Sequence, residues 1–210
     1  MPTSKLGLYN EALFLLGERK LTDLTEDREP RRVLDSVYDA DAIRTVLEMG
    51  QWDFATRTVE IEYSASIDPE FGYQYAFEKP TDLVRLTALC NEPYFSVPFV
   101  NYRDERGYWW ADDQTLYASY VSDDEEYGGD LSLWPASFAR MFALYLAVKA
   151  CPRIPASESK LERLQKDFKK QRLEAESRDA QGGPAKFAPQ GSWASARHGR
   201  WIGRRTRENG

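Results

Sequence analysis

The sequence predicts an α+β fold: a helical bundle of about four helices, an inserted small antiparallel β domain, and an extended C-terminal arm. Three observations in the 210 residues point there. Apolar side chains recur at helical spacing within 1–55 and again within 132–181. Between them, over 56–131, the period drops to two and short runs are separated by charged turns. Over 182–210 the chain fills with glycine, proline, arginine and tryptophan. With 42% hydrophobic and 13% aromatic residues, the chain can bury a sizeable core, which excludes wholesale disorder.

The first helix is expected from about Ser4 to Leu16, with Ser4 as N-cap and Gly17 as the residue that ends it. Leu6, Tyr9, Leu13 and Leu16 form one row, and Leu8, Ala12 and Leu15 a second, so it is buried on more than one side. Leu21–Asp27 reads as a loop. A second helix begins near Glu29-Pro30, where proline is tolerated in the first turn, and runs to Gly50. Its inward stripe is Val33, Val37, Ala40, Ile43 and Leu47.

Val59, Ile61 and Tyr63 alternate with Glu60, Glu62 and Ser64, a half-buried strand. Pro80-Thr81-Asp82 is a turn. Leu83–Leu89, Val97–Arg103, Gly107–Ala111 and Thr115–Val121 read as strands, linked by charged turns at 104–106 and 112–114. Together they predict an antiparallel meander or small barrel of four to six strands. Gly128-Gly129 closes the β section.

A third helix is expected over Pro135–Ala150. Phe138, Met141, Phe142, Tyr145, Leu146 and Val148 leave it few polar faces, so it is the central helix. A fourth starts near Ser157–Ser159, with Ser159 and Glu162 as a capping box, and frays by Gln181. Its stripe of Leu161, Leu164 and Phe168 is narrow, which makes it an outer helix. The helices on either side of the β section are expected to share one core.

Charge is unevenly spread. The chain carries 28 basic and 34 acidic side chains, a net −6, yet 182–210 holds six basic groups and one acid. Residues 104–130 hold nine acids and one arginine. An acidic body with a basic arm argues against a protein whose main task is gripping nucleic acid. Phe187, Trp193 and Trp201 sit among Arg197, Arg200, Arg204 and Arg205, a composition of anchors rather than of a linker. Two buried tryptophans contribute ~8–12 kcal/mol. Ordering the arm costs about 1–2 kcal/mol per residue, so it needs a pre-formed surface that supplies many further contacts, or a multivalent assembly that raises its effective concentration. Fully extended, it reaches about 95 Å.

Little in the chain suggests catalysis. Cys90 and Cys151 make no disulfide framework or CxxC pair, and the single histidine, His198, lies in the arm. A Cys/His zinc site is therefore not expected, and a Ser-His-Asp device would need His198 folded back into a core. GxxxxGK[ST] and GxGxxG are absent, so no nucleotide cofactor is implied. Asp112-Asp113 and Asp123-Asp124-Glu125-Glu126 do not match an EF-hand loop and read as solvated loops. In Tyr108-Trp109-Trp110, Trp109 faces opposite to its neighbours, with the inward side in the core and the outward side open to a partner. The apolar start, Leu6–Leu16, is broken by Asn10 and Glu11. It is too short for a membrane span and lacks the flanks of a signal peptide, so neither membrane nor export is expected.

Several segments together resemble a known family. Leu8-Tyr9-Asn10-Glu11-Ala12-Leu13 runs to Leu16-Gly17-Glu18, and is followed by Val37-Tyr38-Asp39 and Gln51-Trp52-Asp53-Phe54-Ala55-Thr56-Arg57. Then come Tyr73–Phe77, Pro80-Thr81-Asp82-Leu83-Val84-Arg85, and Pro189-Gln190-Gly191-Ser192-Trp193 with Ala196-Arg197. In this order they resemble the head-to-tail adaptor proteins of short-tailed bacteriophages, also called connector or tail tubular protein A. The likeness covers most of the chain, although 97–130 matches only in general character.

The resemblance implies a structural virion protein, not an enzyme, in a homo-oligomeric ring, usually twelve-fold, beneath the portal protein. The helical bundle would form the ring body, the β section would face the tail nozzle protein, and the arm would dock on the portal. It places the protein at the head–tail junction, and in host cytoplasm during assembly. Double-stranded DNA would pass without specific binding, because an acidic lumen repels phosphate. Asp112, Asp113, Asp123, Asp124, Glu125 and Glu126 are the candidates to line that channel or face the nozzle. Two rival functions remain: a cell-wall-degrading glycosidase, which needs two carboxyls across a cleft with one pKa raised, and a nucleic-acid-binding module built on the basic arm.

Overall fold

The computed structural model describes residues 3–67, 72–153 and 158–182. In chain order these form α1 (Lys5–Leu16), α2 (Glu29–Tyr38), α3 (Ala42–Leu47), β1 (Thr56–Glu62), β2 (Tyr75–Glu78), β3 (Leu83–Cys90), β4 (Arg103–Glu105), β5 (Tyr108–Ala111), β6 (Thr115–Ser122), α4 (Ala136–Ala150) and α5 (Glu158–Gly182). The fold is mixed α+β, with five helices and two three-stranded antiparallel sheets among the described residues.

Helix α1 starts and stops where its end residues dictate. Ser4 Oγ accepts the Gly7 N–H at 3.1 Å. Gly17 adopts φ 77°, and its N–H donates to the Phe14 carbonyl while that of Glu18 donates to Leu13, closing a Schellman turn. The expected second helix is two helices. Asp39-Ala40-Asp41 interrupts it, with Asp41 in the left-handed region at φ 54°. Aspartate competes with helical hydrogen bonding and tolerates that conformation. Ala40, expected on the inward stripe, is exposed, while Leu34, Ala42 and Val46 are buried.

Helix α4 is central, as its apolar faces require. Phe138, Met141, Phe142 and Leu146 are fully buried, packed against α1, α2, α3 and α5 in one apolar cluster. Phe138 meets the rings of Trp52, Phe54 and Trp134 edge-on at 4.8 Å each. Helix α5 is already running at Glu158, so Ser159 lies in its first turn instead of capping it. Its stripe extends past Phe168 to Gln171 and Ala175, and the helix holds to Gly182. Lys160 near its start donates to the Leu16 carbonyl at the end of α1.

The β section is not a meander. Strand β6 lies between β1 and β3 in one sheet, and β5 lies between β2 and β4 in the other. The chain crosses from one sheet to the other at 112–114, so β5 and β6 do not pair. Of the strand expected at 97–103, only Arg103 is in a strand. Asp104 and Glu105, read as a turn, pair with Trp109 and Tyr108. The turn is Arg106-Gly107, with φ 51° and 84°, the two positive values that a two-residue hairpin of matching twist requires. Strand β2 had no alternation to announce it, because Ala76 and Phe77 are both buried.

A second apolar cluster, with Phe77, Trp109, Leu116 and Tyr120 at its centre, lies between the sheets. Alternation along β6 sends Leu116, Ala118 and Tyr120 into it, while Val121 belongs to the helical cluster.

Candidate functional site

The most developed polar site lies where the first sheet meets the helices. Pro80-Thr81-Asp82 turns the chain into β3, with the Leu83 N–H donating to the Pro80 carbonyl at 3.1 Å. The turn delivers the Asp82 carboxylate, 14% exposed, to the ends of β1 and β6. It accepts Ser122 Oγ at 2.6 Å, Arg57 Nη1 at 2.8 Å and the Tyr120 hydroxyl at 3.1 Å. Burial alone would raise the Asp82 pKa. The hydrogen bonds from Ser122, Arg57 and Tyr120 outweigh it and hold the carboxyl below the usual range. Burial, reinforced by the Asp82 charge, pushes the Tyr120 hydroxyl up, so it stays a donor.

Three arginines fasten this corner. Arg44 of α3 donates to Asp123 Oδ2 and to the Leu83 carbonyl, both at 2.6 Å. Arg85 of β3 returns a hydrogen bond to the Glu48 carbonyl at 3.2 Å. Arg57 stacks over the Tyr127 ring at 5.3 Å and approaches Asp124 at 3.9 Å. Gly128 lets the loop lie close. A Cβ there would stand 2.3 Å from the Ser122 carbonyl oxygen and 2.6 Å from Leu47. The Trp134 indole N–H then donates to the Gly128 carbonyl at 2.9 Å.

The acids singled out from sequence divide into two sets. Asp123 and Asp124 belong to the corner just described, and Glu125 and Glu126 are exposed on the loop beside it. Asp112 and Asp113 lie at the opposite end of β6, about 26 Å away along the strand. Asp112 accepts the Gln74 N–H at 3.1 Å, which fixes the entry to β2. The six acids therefore do not form one patch within a chain. Trp109 is fully buried, its indole N–H donating to Asp104 at 3.3 Å, whereas Tyr108 and Trp110 are half-buried on the other side. Phe187, Trp193, Arg197, Arg200, Trp201, Arg204 and Arg205 all lie outside the described residues.

Hollows elsewhere among the described residues are not lined by the residues of this corner. One of about 610 Å³ runs between β3 and residues 98–104. Beside it Val97 (67%) and Val100 (84%), in the segment expected to be a strand, are exposed, and so is Tyr94 (83%) just before it. The other, about 290 Å³, is walled by Trp52, Phe54, Pro135 and Phe138, with Asp53 and Asp179 in its lining. Burial pushes the Asp179 carboxyl up. Its two oxygens accept the Asp53 backbone N–H at 3.1 and 3.3 Å, so it serves a structural bond. Among the described residues, no group of three or more His, Cys, Asp and Glu side chains is placed to hold a metal, and no helix is long and apolar enough to cross a membrane.

The chain matches no protein-family model and no curated protein. Sequence reading named neither Asp82 nor Arg57 as a site residue. The available signal was their place inside the runs Gln51–Arg57 and Pro80–Arg85.

Proposed function

We propose that the chain is a structural head-to-tail adaptor of a short-tailed bacteriophage, forming a ring between portal and tail nozzle and enclosing part of the DNA channel. In this arrangement 1–55 and 132–181 make the helical bundle of the ring body, 56–131 is an inserted β domain, and 182–210 is the arm that docks on the portal. The observation that carries the reading is the Arg57–Asp82 pair. Two of the runs that resemble adaptors, Gln51–Arg57 and Pro80–Arg85, meet there in one ion pair at 2.8 Å. The pair joins the runs within the β section, while Trp52 in the helical core and Arg85 on the Glu48 carbonyl tie them to the helices. A part standing between a pressurised head and a tail needs such a rigid corner. The exposed Tyr94, Val97 and Val100 give the β section an apolar surface suited to a protein partner such as the nozzle.

Electron microscopy of the purified chain mixed with portal rings tests this. The expected result is a ring seated on the portal, lost when 183–210 is removed. A monomer that clears peptidoglycan supports the glycosidase instead, and steeply salt-dependent DNA binding supports the nucleic-acid module.

A further inference from the structure

The smaller hollow lies where α5 ends, with Gly182 on its rim. The hollow encloses about 290 Å³, room for an aromatic side chain. Its walls are aromatic, and Phe54 is only partly buried although it packs on Phe138 at 4.8 Å. Two carboxylates, Asp53 and Asp179, share the lining. Arg178 also lines the hollow, and its guanidinium is paired to Glu174 at 2.7 Å. Among the described residues neither aspartate has an ion-pair partner. The site asks for an aromatic ring with a cation beside it.

We propose that Phe187 of the same chain fills this pocket, with Lys186 set against Asp53 and Asp179. Phe187 follows Gly182 by five residues, a reach of about 17 Å at full extension. Gly182-Gly183-Pro184 is a sequence suited to reversing the chain after a helix. Lys186-Phe187 is the first basic–aromatic pair beyond it. Charge agrees as well, since 182–210 carries six basic groups and one acid, while the pocket lining holds two acids and an arginine already paired to Glu174. The root of the arm is thereby clamped to the helices. Trp193, Trp201 and the arginines beyond are left to engage something else. This clamp is independent of the adaptor reading and holds for the free chain.

A disulfide-trapping experiment on the full chain tests it. Ser137 lines the pocket, and the natural Cys90 and Cys151 are both buried. Under mild oxidation at dilute protein, Ser137→Cys with Ala188→Cys is expected to close rapidly within one chain. Adding Phe187→Ala should slow closure about tenfold, equivalent to ~1.4 kcal/mol, and Lys186→Glu should slow it severalfold. Closure as fast with Phe187→Ala as without it overturns the proposal, and so does a product found only as cross-linked dimer. A second measurement leaves the pocket wall unsubstituted. Hydrogen exchange at Asp53 should be about tenfold faster in Phe187→Ala than in the parent chain, and equal rates overturn the proposal. Neither readout involves a portal, so failure here is separate from failure of the adaptor reading.

Discussion

Arg57 and Asp82 are joined at 2.8 Å across 25 residues of sequence, with Ser122 and Tyr120 of β6 completing the shell around the carboxylate. The start of one strand, one turn and the end of another strand thus meet on a single acid. Arg44 and Arg85 cross from α3 to β3 beside it, in opposite directions. The first sheet is fixed to the helices by charge-assisted hydrogen bonds as well as by Val121 packing into their core.

Replacing Asp82 with alanine should therefore be costly. It leaves Arg57 without its main partner and orphans two hydroxyl donors, so a loss of about 2–4 kcal/mol is expected. Calorimetric or denaturant unfolding measures it. A double-mutant cycle with Arg57→Ala should show coupling of more than about 1 kcal/mol.

Acid should act through the same residue. The folded pKa of Asp82 is lowered, so its stabilisation is full above the unfolded value of about 3.9. It is lost as pH falls through the folded value, because protonation removes the charge that the donors hold. Stability measured from pH 5 down to pH 2.5 should fall more steeply for the parent chain than for Asp82→Asn. Parallel curves would mean that other carboxylates dominate.

Gly128 is required for space. The added Cβ of Gly128→Ala would press on the Ser122 carbonyl and on Leu47, and a destabilisation of about 1–3 kcal/mol is expected. Gly107→Ala tests a different cause, since nothing lies within 4 Å but φ is 84°. It should cost about 1 kcal/mol through conformation alone.

The exposed apolar segment separates folding from partner binding. Val100 is 84% exposed, so Val100→Asp should change stability by less than about 0.5 kcal/mol. If the β section meets the nozzle through this surface, tail attachment should drop sharply in the same variant. Normal attachment would move the contact elsewhere.

Much of this was legible in the sequence. Ser4 and Gly17 bracketed α1 because both act through local geometry, and the apolar faces of Phe138 to Leu146 announced the central helix. The break at Asp41 was not legible, because the apolar period continues through it and only the backbone conformation changes. Strands β2 and β4 were hidden for a related reason. Their pairing depends on β5 rather than on their own alternation, with Ala76 and Phe77 both buried and all three of Arg103–Glu105 exposed. The acids at 112–126 looked like one stretch in sequence, yet the length of β6 divides them. Asp123 and Asp124 turned out to hold the corner together. Asp82 was visible as a turn residue, but its partners lie 25 to 40 residues away.

The most direct measurement is cryo-electron microscopy of portal rings incubated with the full chain and, separately, with residues 1–182. An adaptor gives a continuous ring of this protein on the portal with the full chain and bare portals with the shortened one. Bare portals in both samples, or equal decoration in both, would contradict an adaptor that docks through its arm.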